Sequence, residues 1–172
     1  MTNAAILLGD LVHPGAIATS LDAPDKYAAI ESLVDLLIAA GDLPAEFREH
    51  ATGIVSAREH SLSTGMEHGI ALPHAASDRI DRRIAALATA PEGIPWDSLD
   101  GSPARLIILL ISPRREFNIH VRTLAGISHL LNRNAFVESL VAAPDPEALH
   151  DLIQDEESGS WFERFRRRLQ GH

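Results

Sequence analysis

The sequence contains no cysteine, so disulfides, thiol catalysis and thiolate metal centres are excluded. No apolar run approaches the roughly 18 residues that a membrane-spanning helix needs, and the first residues lack the basic start and apolar core of a secretory signal. The expectation is a soluble cytoplasmic protein. Positive charge is scarce: 15 Lys and Arg against 24 Asp and Glu leave a formal net charge of −9, which argues against general nucleic-acid binding. Lysine is nearly missing too, since Lys26 stands alone beside the arginines, a bias read as coding preference without functional content. Internal repeats and low-complexity segments are also lacking.

What is present is one core's worth of apolar residues. At 172 residues with 45% hydrophobic content, the chain fits one full domain and is too short for two of ordinary size. Ala4 to Leu11 reads as a strand or a loosely packed lead-in, and Ile17 to Leu21 is short and partly alternating. Asp22 or Ser20 can cap a helix whose first turn holds Pro24 and Asp25, with Tyr27, Ile30, Leu33, Val34, Leu37 and Ile38 at helical spacing until Gly41. Pro44 opens a second helix running to about Glu59, which puts Arg58 near its C-terminal end. Ile84 to Ala90 predicts a strand and Pro91 to Gly93 a turn. Leu106 to Ile111 is continuously apolar and predicts a central strand covered on both faces. Helical spacing resumes near Asn118, and Asn134 to Ala142 and Pro146 to Ile153 predict two more helices, the second capped by Asp145. Interleaved helices and strands predict an α/β fold, a mixed central sheet flanked by helices on both faces.

The chemistry concentrates between Arg58 and Ala76. Gly65 and Gly69 allow positive φ and close backbone approach, so the loop from Ser63 to Gly69 can curl its N–H groups around an anion. Ile70 to Leu72 reads as a short strand, and Pro73 fixes the chain just before His74. An arginine, a donor-rich loop and a positioned imidazole point to phosphoryl transfer to histidine. Neutral imidazole must attack, so the other ring nitrogen needs an acceptor, either Asp78 or a backbone carbonyl.

Arg58-Glu59, Ser63-Thr64-Gly65, the glycine-containing loop and Ala71-Leu72-Pro73-His74 together resemble the signature of the fructose/mannitol-type enzyme IIA domains of the bacterial phosphoenolpyruvate-dependent sugar phosphotransferase system. Pro95 to Gly101, the run ending in Ser112-Pro113, and His120 opening a helical pattern extend the resemblance over roughly residues 5 to 155. The resemblance implies an enzyme IIA-like phosphocarrier domain over 1–155, with 156–172 left as a basic amphipathic tail. It implies that His74 accepts a phosphoryl group from an HPr-like phosphocarrier and passes it to a downstream IIB component or regulatory target. Catalysis then rests on Arg58 and His120, with Ser63, Thr64, Gly65 and Gly69 binding the phosphoryl group and with no metal or organic cofactor. The stand-alone nitrogen-regulatory enzyme IIA is the form it resembles most.

One position departs from that signature, because Glu67 replaces the middle glycine of the loop. A carboxylate aimed into the site would repel a phosphoryl group and favour protonated His74; aimed at solvent, it would change little. The alternative function is a binding or signalling module that keeps the pocket without transferring phosphate. A metal-dependent hydrolase built on the histidines is weaker, since no helical His-x-x-x-His pair and no cysteine ligand exist. His68 is a candidate pocket-lining residue, while His13, His50, His150 and His172 read as surface histidines. In the tail, Trp161, Phe162 and Phe165 either dock on the body or, with the arginines, contact an acidic surface.

Overall fold

The computed structural model describes residues 6–159, so the aromatic and arginine-rich tail and its two readings lie outside the described residues. Two long strands form the spine. β4 (Ile84–Ile94) and β5 (Ala104–Pro113) pair antiparallel. Parallel to β4 runs β1 (Ile17–Ala18), while β2 (Ile70–Ala71) and β3 (His74–Ser77) both run parallel to β5, giving the mixed order β1-β4-β5-β2. β2 and β3 are two parts of one edge, interrupted at Leu72-Pro73. Proline has no N–H to donate, and at that break the Leu110 N–H bonds the Pro73 carbonyl at 3.1 Å.

From Leu106 to Ile111 every side chain of β5 is at most 1% exposed, on both alternating faces. Cover on both faces follows, as the unbroken apolar run requires. α2 (Lys26–Ala39) lays Ile30, Leu33, Val34 and Leu37 into the core beside β4, and it packs on α3 (Arg48–Ser61), which in turn lies along β3. α4 (Phe117–Leu130) follows β5 through a short 3-10 turn, and α5 (Asn134–Val141) and α6 (Pro146–Glu157) complete the flanking layers.

Local chemistry adjusts several sequence expectations. Asp25, not Asp22 or Ser20, caps α2, because its carboxylate accepts the Ala28 N–H at 2.9 Å. Gly41 ends that helix at φ +81°, a left-handed conformation that favours glycine. Asp145 caps α6 as expected, through the Ala148 N–H. The predicted turn at Pro91 to Gly93 lies inside β4 as an irregularity, where the register with β5 shifts between Thr89 and Ile94. The lead-in contains a single helical turn, α1 (Leu8–Leu11), whose Leu8 and Gly9 N–H groups are accepted at 2.6 Å by the Glu157 carboxylate. His150, expected at the surface, is buried under that turn and donates Nε2–H to the Gly9 carbonyl at 2.8 Å.

Truncating the middle of the spine should be expensive and truncating an exposed loop residue should not. Leu109→Ala, at a fully buried position, should lose about 2–5 kcal/mol in urea unfolding, while Leu99→Ala, 85% exposed, should stay within about 0.5 kcal/mol of the parent. Equal losses at both positions would contradict this assignment of the core.

Candidate functional site

His74 opens β3, directly after the break in the edge, and Pro73 restricts the chain that presents it. Its Nδ1 lies 2.7 Å from the Leu72 carbonyl oxygen. A carbonyl only accepts, so Nδ1 carries the proton and Nε2 keeps the lone pair. The acceptor is therefore the backbone, and Asp78 instead pairs with Arg114 at 3.3 Å. Burial holds His74 below the ordinary histidine pKa; Arg58 adds to that lowering, while the Leu72 carbonyl and the Glu59 carboxylate oppose it.

His120, on the first turn of α4, is only 3% exposed. Its ring centroid is 5.4 Å from that of His74, and its Nδ1 is 2.8 Å from the Ser112 hydroxyl at the end of β5. Burial, with the proximity of His74, lowers its pKa to about 4, so the ring is neutral at physiological pH. Arg58, in the last turn of α3, donates Nη1–H to the Leu62 carbonyl at 2.8 Å. Arg58, His74 and His120 line one open cavity of about 480 Å³, together with Arg114 and the exposed side chains of Phe117 and Val121.

The loop between α3 and β2 is closed on itself. The Met66 N–H bonds the Ile70 carbonyl at 2.7 Å and the Leu72 N–H bonds the Thr64 carbonyl at 3.2 Å. Ser63 donates its hydroxyl to the Trp96 carbonyl and accepts the Gly65 N–H. The Thr64 N–H and hydroxyl both donate to the buried Glu59 carboxylate. The His68 N–H goes to Asp100. These donors hold the loop in place, and Ser63, Thr64 and Gly65 do not line the cavity around His74. The two glycines do different jobs: a side chain at Gly65 would meet Ser98 Oγ at 2.5 Å, whereas Gly69 has φ +76°. Gly69 and His68 line a separate cleft with Asp100 and Arg105. Glu67 is 64% exposed at the side chain, 3.9 Å from the His68 ring, and outside the His74 cavity.

The geometry unites His74, His120 and Arg58 as the sequence expected. It adds Arg114, Ser112 and Glu59, which sequence reasoning did not place. Glu59 stood inside the signature, and Arg114 follows directly on Ser112-Pro113, the end of the central strand; those were the available signals. Among the described residues, no three His, Asp or Glu side chains group as a metal centre would require.

Residues 10–156 match the family model for the phosphoenolpyruvate-dependent sugar phosphotransferase system, EIIA 2. The chain belongs to this EIIA type 2 family. Among EIIA relatives, the fructose-specific EIIA component of Haloferax volcanii is 31% identical over 138 residues, covering 79% of this chain and 88% of that protein. The nitrogen regulatory protein IIA-Ntr of Neisseria meningitidis superposes with a TM-score of 0.77 at 23% identity, over 85% of this chain and 98% of that one. Mannitol IIA of Escherichia coli, in a complex with phosphorylated mannitol enzyme IIB, superposes with a TM-score of 0.70 at 20% identity, over 83% of this chain and 96% of that one. The mixed α/β fold is thus that of PTS IIA proteins. Among the described residues, no helix is long and apolar enough to cross a membrane.

His120 gives the EIIA site a pH signature. An unfolded histidine titrates near pH 6.5, but the folded ring resists protonation until about pH 4. Between those values the unfolded chain binds the extra proton, so this stability is complete above about pH 6.5 and is lost as pH falls toward 4. On the order of 3 kcal/mol is involved. Replacing His120 by Gln should flatten the melting temperature against pH over this window, and an undiminished slope would contradict a buried neutral ring.

Proposed function

We propose that this protein is a cytoplasmic histidine phosphocarrier of a phosphotransferase system. It takes a phosphoryl group from an HPr-like carrier onto His74 Nε2 and hands it to a IIB component or uses it as a regulatory signal. The single observation that carries the reading is the Leu72 carbonyl on His74 Nδ1, which leaves Nε2 with the lone pair on a ring that lines the cavity shared with Arg58 and His120. The lone pair on Nε2 attacks phosphorus as the donor's phosphorus–nitrogen bond breaks, and that electron pair returns to the donor's ring. Positive character arising on the His74 ring spreads to Nδ1–H, where the Leu72 carbonyl accepts it. Arg58 meets the phosphoryl oxygens with charge. Neutral His120 donates a hydrogen bond from Nε2–H, its Nδ1 accepting from Ser112. Ser63, Thr64, Gly65 and Gly69 act by shaping the loop beside this group.

The exchange joins two similar bonds, so it is reversible and depends on positioning and charge, with no cofactor assigned to it. Exposed Phe117 and Val121 at the cavity mouth suit contact with a protein donor whose phosphohistidine enters between them. The family, and the fructose-specific relative that matches most of the chain, support phosphotransferase chemistry for this domain. Glu67, exposed and outside the cavity lining, supports the transferring reading over a non-transferring module.

Incubation with phosphoenolpyruvate, enzyme I and the HPr-like carrier of the same organism should add one acid-labile, phosphate-sized mass. His74→Ala should abolish it, and Arg58→Gln should slow its appearance on the order of 100-fold. Undiminished labelling of His74→Ala, or none in the wild type, would overturn the reading.

A further inference from the structure

The only lysine of the sequence is buried beside this site. Lys26 is the first residue of α2, and its side chain is 10% exposed. Its Nζ lies 3.2 Å from Glu59 Oε1 on α3 and 3.2 Å from Asp97 Oδ2 in the connection between β4 and β5. Glu59 has 0% side-chain exposure, and besides Lys26 it accepts the N–H and the hydroxyl of Thr64. Burial would lower the Lys26 pKa, but its hydrogen bonds and charge attraction to Glu59 and Asp97 outweigh that and raise it. The ammonium is therefore charged at physiological pH.

Three elements meet at this one cation, and the middle one carries Arg58. Residues 58 and 59 are neighbours on α3 and diverge by about 100° around the helix. Arg58 faces the cavity and Glu59 faces the core. The Glu59 carboxylate thus sits behind the site, and its negative charge reaches His74. Left alone, that charge would favour the protonated imidazole and oppose an arriving phosphoryl group. Lys26 is itself nearly buried and bridges the fully buried Glu59 carboxylate to the exposed Asp97 carboxylate, and a compact ammonium suits that position better than a planar guanidinium.

We propose that Lys26 is a positioning residue of the phosphoryl site: through Glu59 it anchors the Thr64 loop and offsets the negative charge that Glu59 presents to His74. This rests on the reading of His74 as the phosphoryl acceptor. The other charged or titratable groups facing His74 are Arg58 from α3, His120 from α4, and Arg114 beyond β5 with its partner Asp78. None of them contacts Lys26, so its effect is separable from theirs.

The test is an NMR titration of the His74 ring in the unphosphorylated full chain. Lys26→Met should raise the His74 pKa by about half a unit or more. Glu59→Gln should lower it, and the double variant should return it close to the wild-type value. Lys26→Arg should keep the His74 pKa while losing melting temperature, since charge remains and fit does not. A His74 pKa unmoved in Lys26→Met would overturn the proposal and leave Lys26 as a structural brace. If Lys26→Met does not fold, Lys26→Gln removes the same charge with a polar side chain and is read the same way. Failure of wild-type phosphate uptake would sink the carrier reading separately, without affecting this titration.

Discussion

The site depends on one hydrogen bond, from His74 Nδ1 to the carbonyl of Leu72 two residues earlier. At this edge of the sheet the ladder bond from the Leu110 N–H goes to the Pro73 carbonyl, while Leu72 turns its backbone to the other side, leaving its oxygen to the imidazole. The bond to the imidazole selects the tautomer and fixes the ring. β5 supplies the rigid register against which His74 is held, since His74 stands opposite Leu110 in a fully buried strand. The apolar core is in this sense part of the chemistry.

Around that ring, charge is arranged in layers. Arg58 faces the cavity. Behind it Glu59 is buried, and behind Glu59 lies Lys26. His120 is kept neutral by burial and by His74. On the proposed reading, an arriving phosphoryl group would meet an arginine and a neutral donor, while the Glu59 carboxylate is turned inward and paired. The loop between α3 and β2 is stiffened by its own hydrogen bonds and by Gly65 packed against Ser98.

Much of this was legible in the sequence. The unbroken Leu106 to Ile111 run marked the central strand, helical spacing marked α2 to α6, and the Arg58 to Ala76 segment marked the site. The failures have local causes. Asp22, Ser20 and Asp25 are all capping residue types, and only backbone geometry chose Asp25. Pro91 and Gly93 carry turn chemistry but sit in a strand irregularity, because β4 and β5 continue pairing beyond them. Ser63 and Thr64 have hydroxyls suited to a phosphoryl group, yet their nearest acceptors belong to Trp96 and Glu59, contacts that composition does not encode. The sequence suggests a surface position for His150 and assigns no role to Lys26, because it does not reveal which polar side chain has a buried partner across the fold.

The most direct measurement is the tautomer of His74 in the unphosphorylated protein, read at neutral pH from long-range proton–nitrogen correlations of its ring. A protonated Nδ1 with an unprotonated, pyridine-type Nε2 is the expected result. A proton on Nε2 would contradict it, because the nitrogen proposed to attack phosphorus would then have no lone pair to offer.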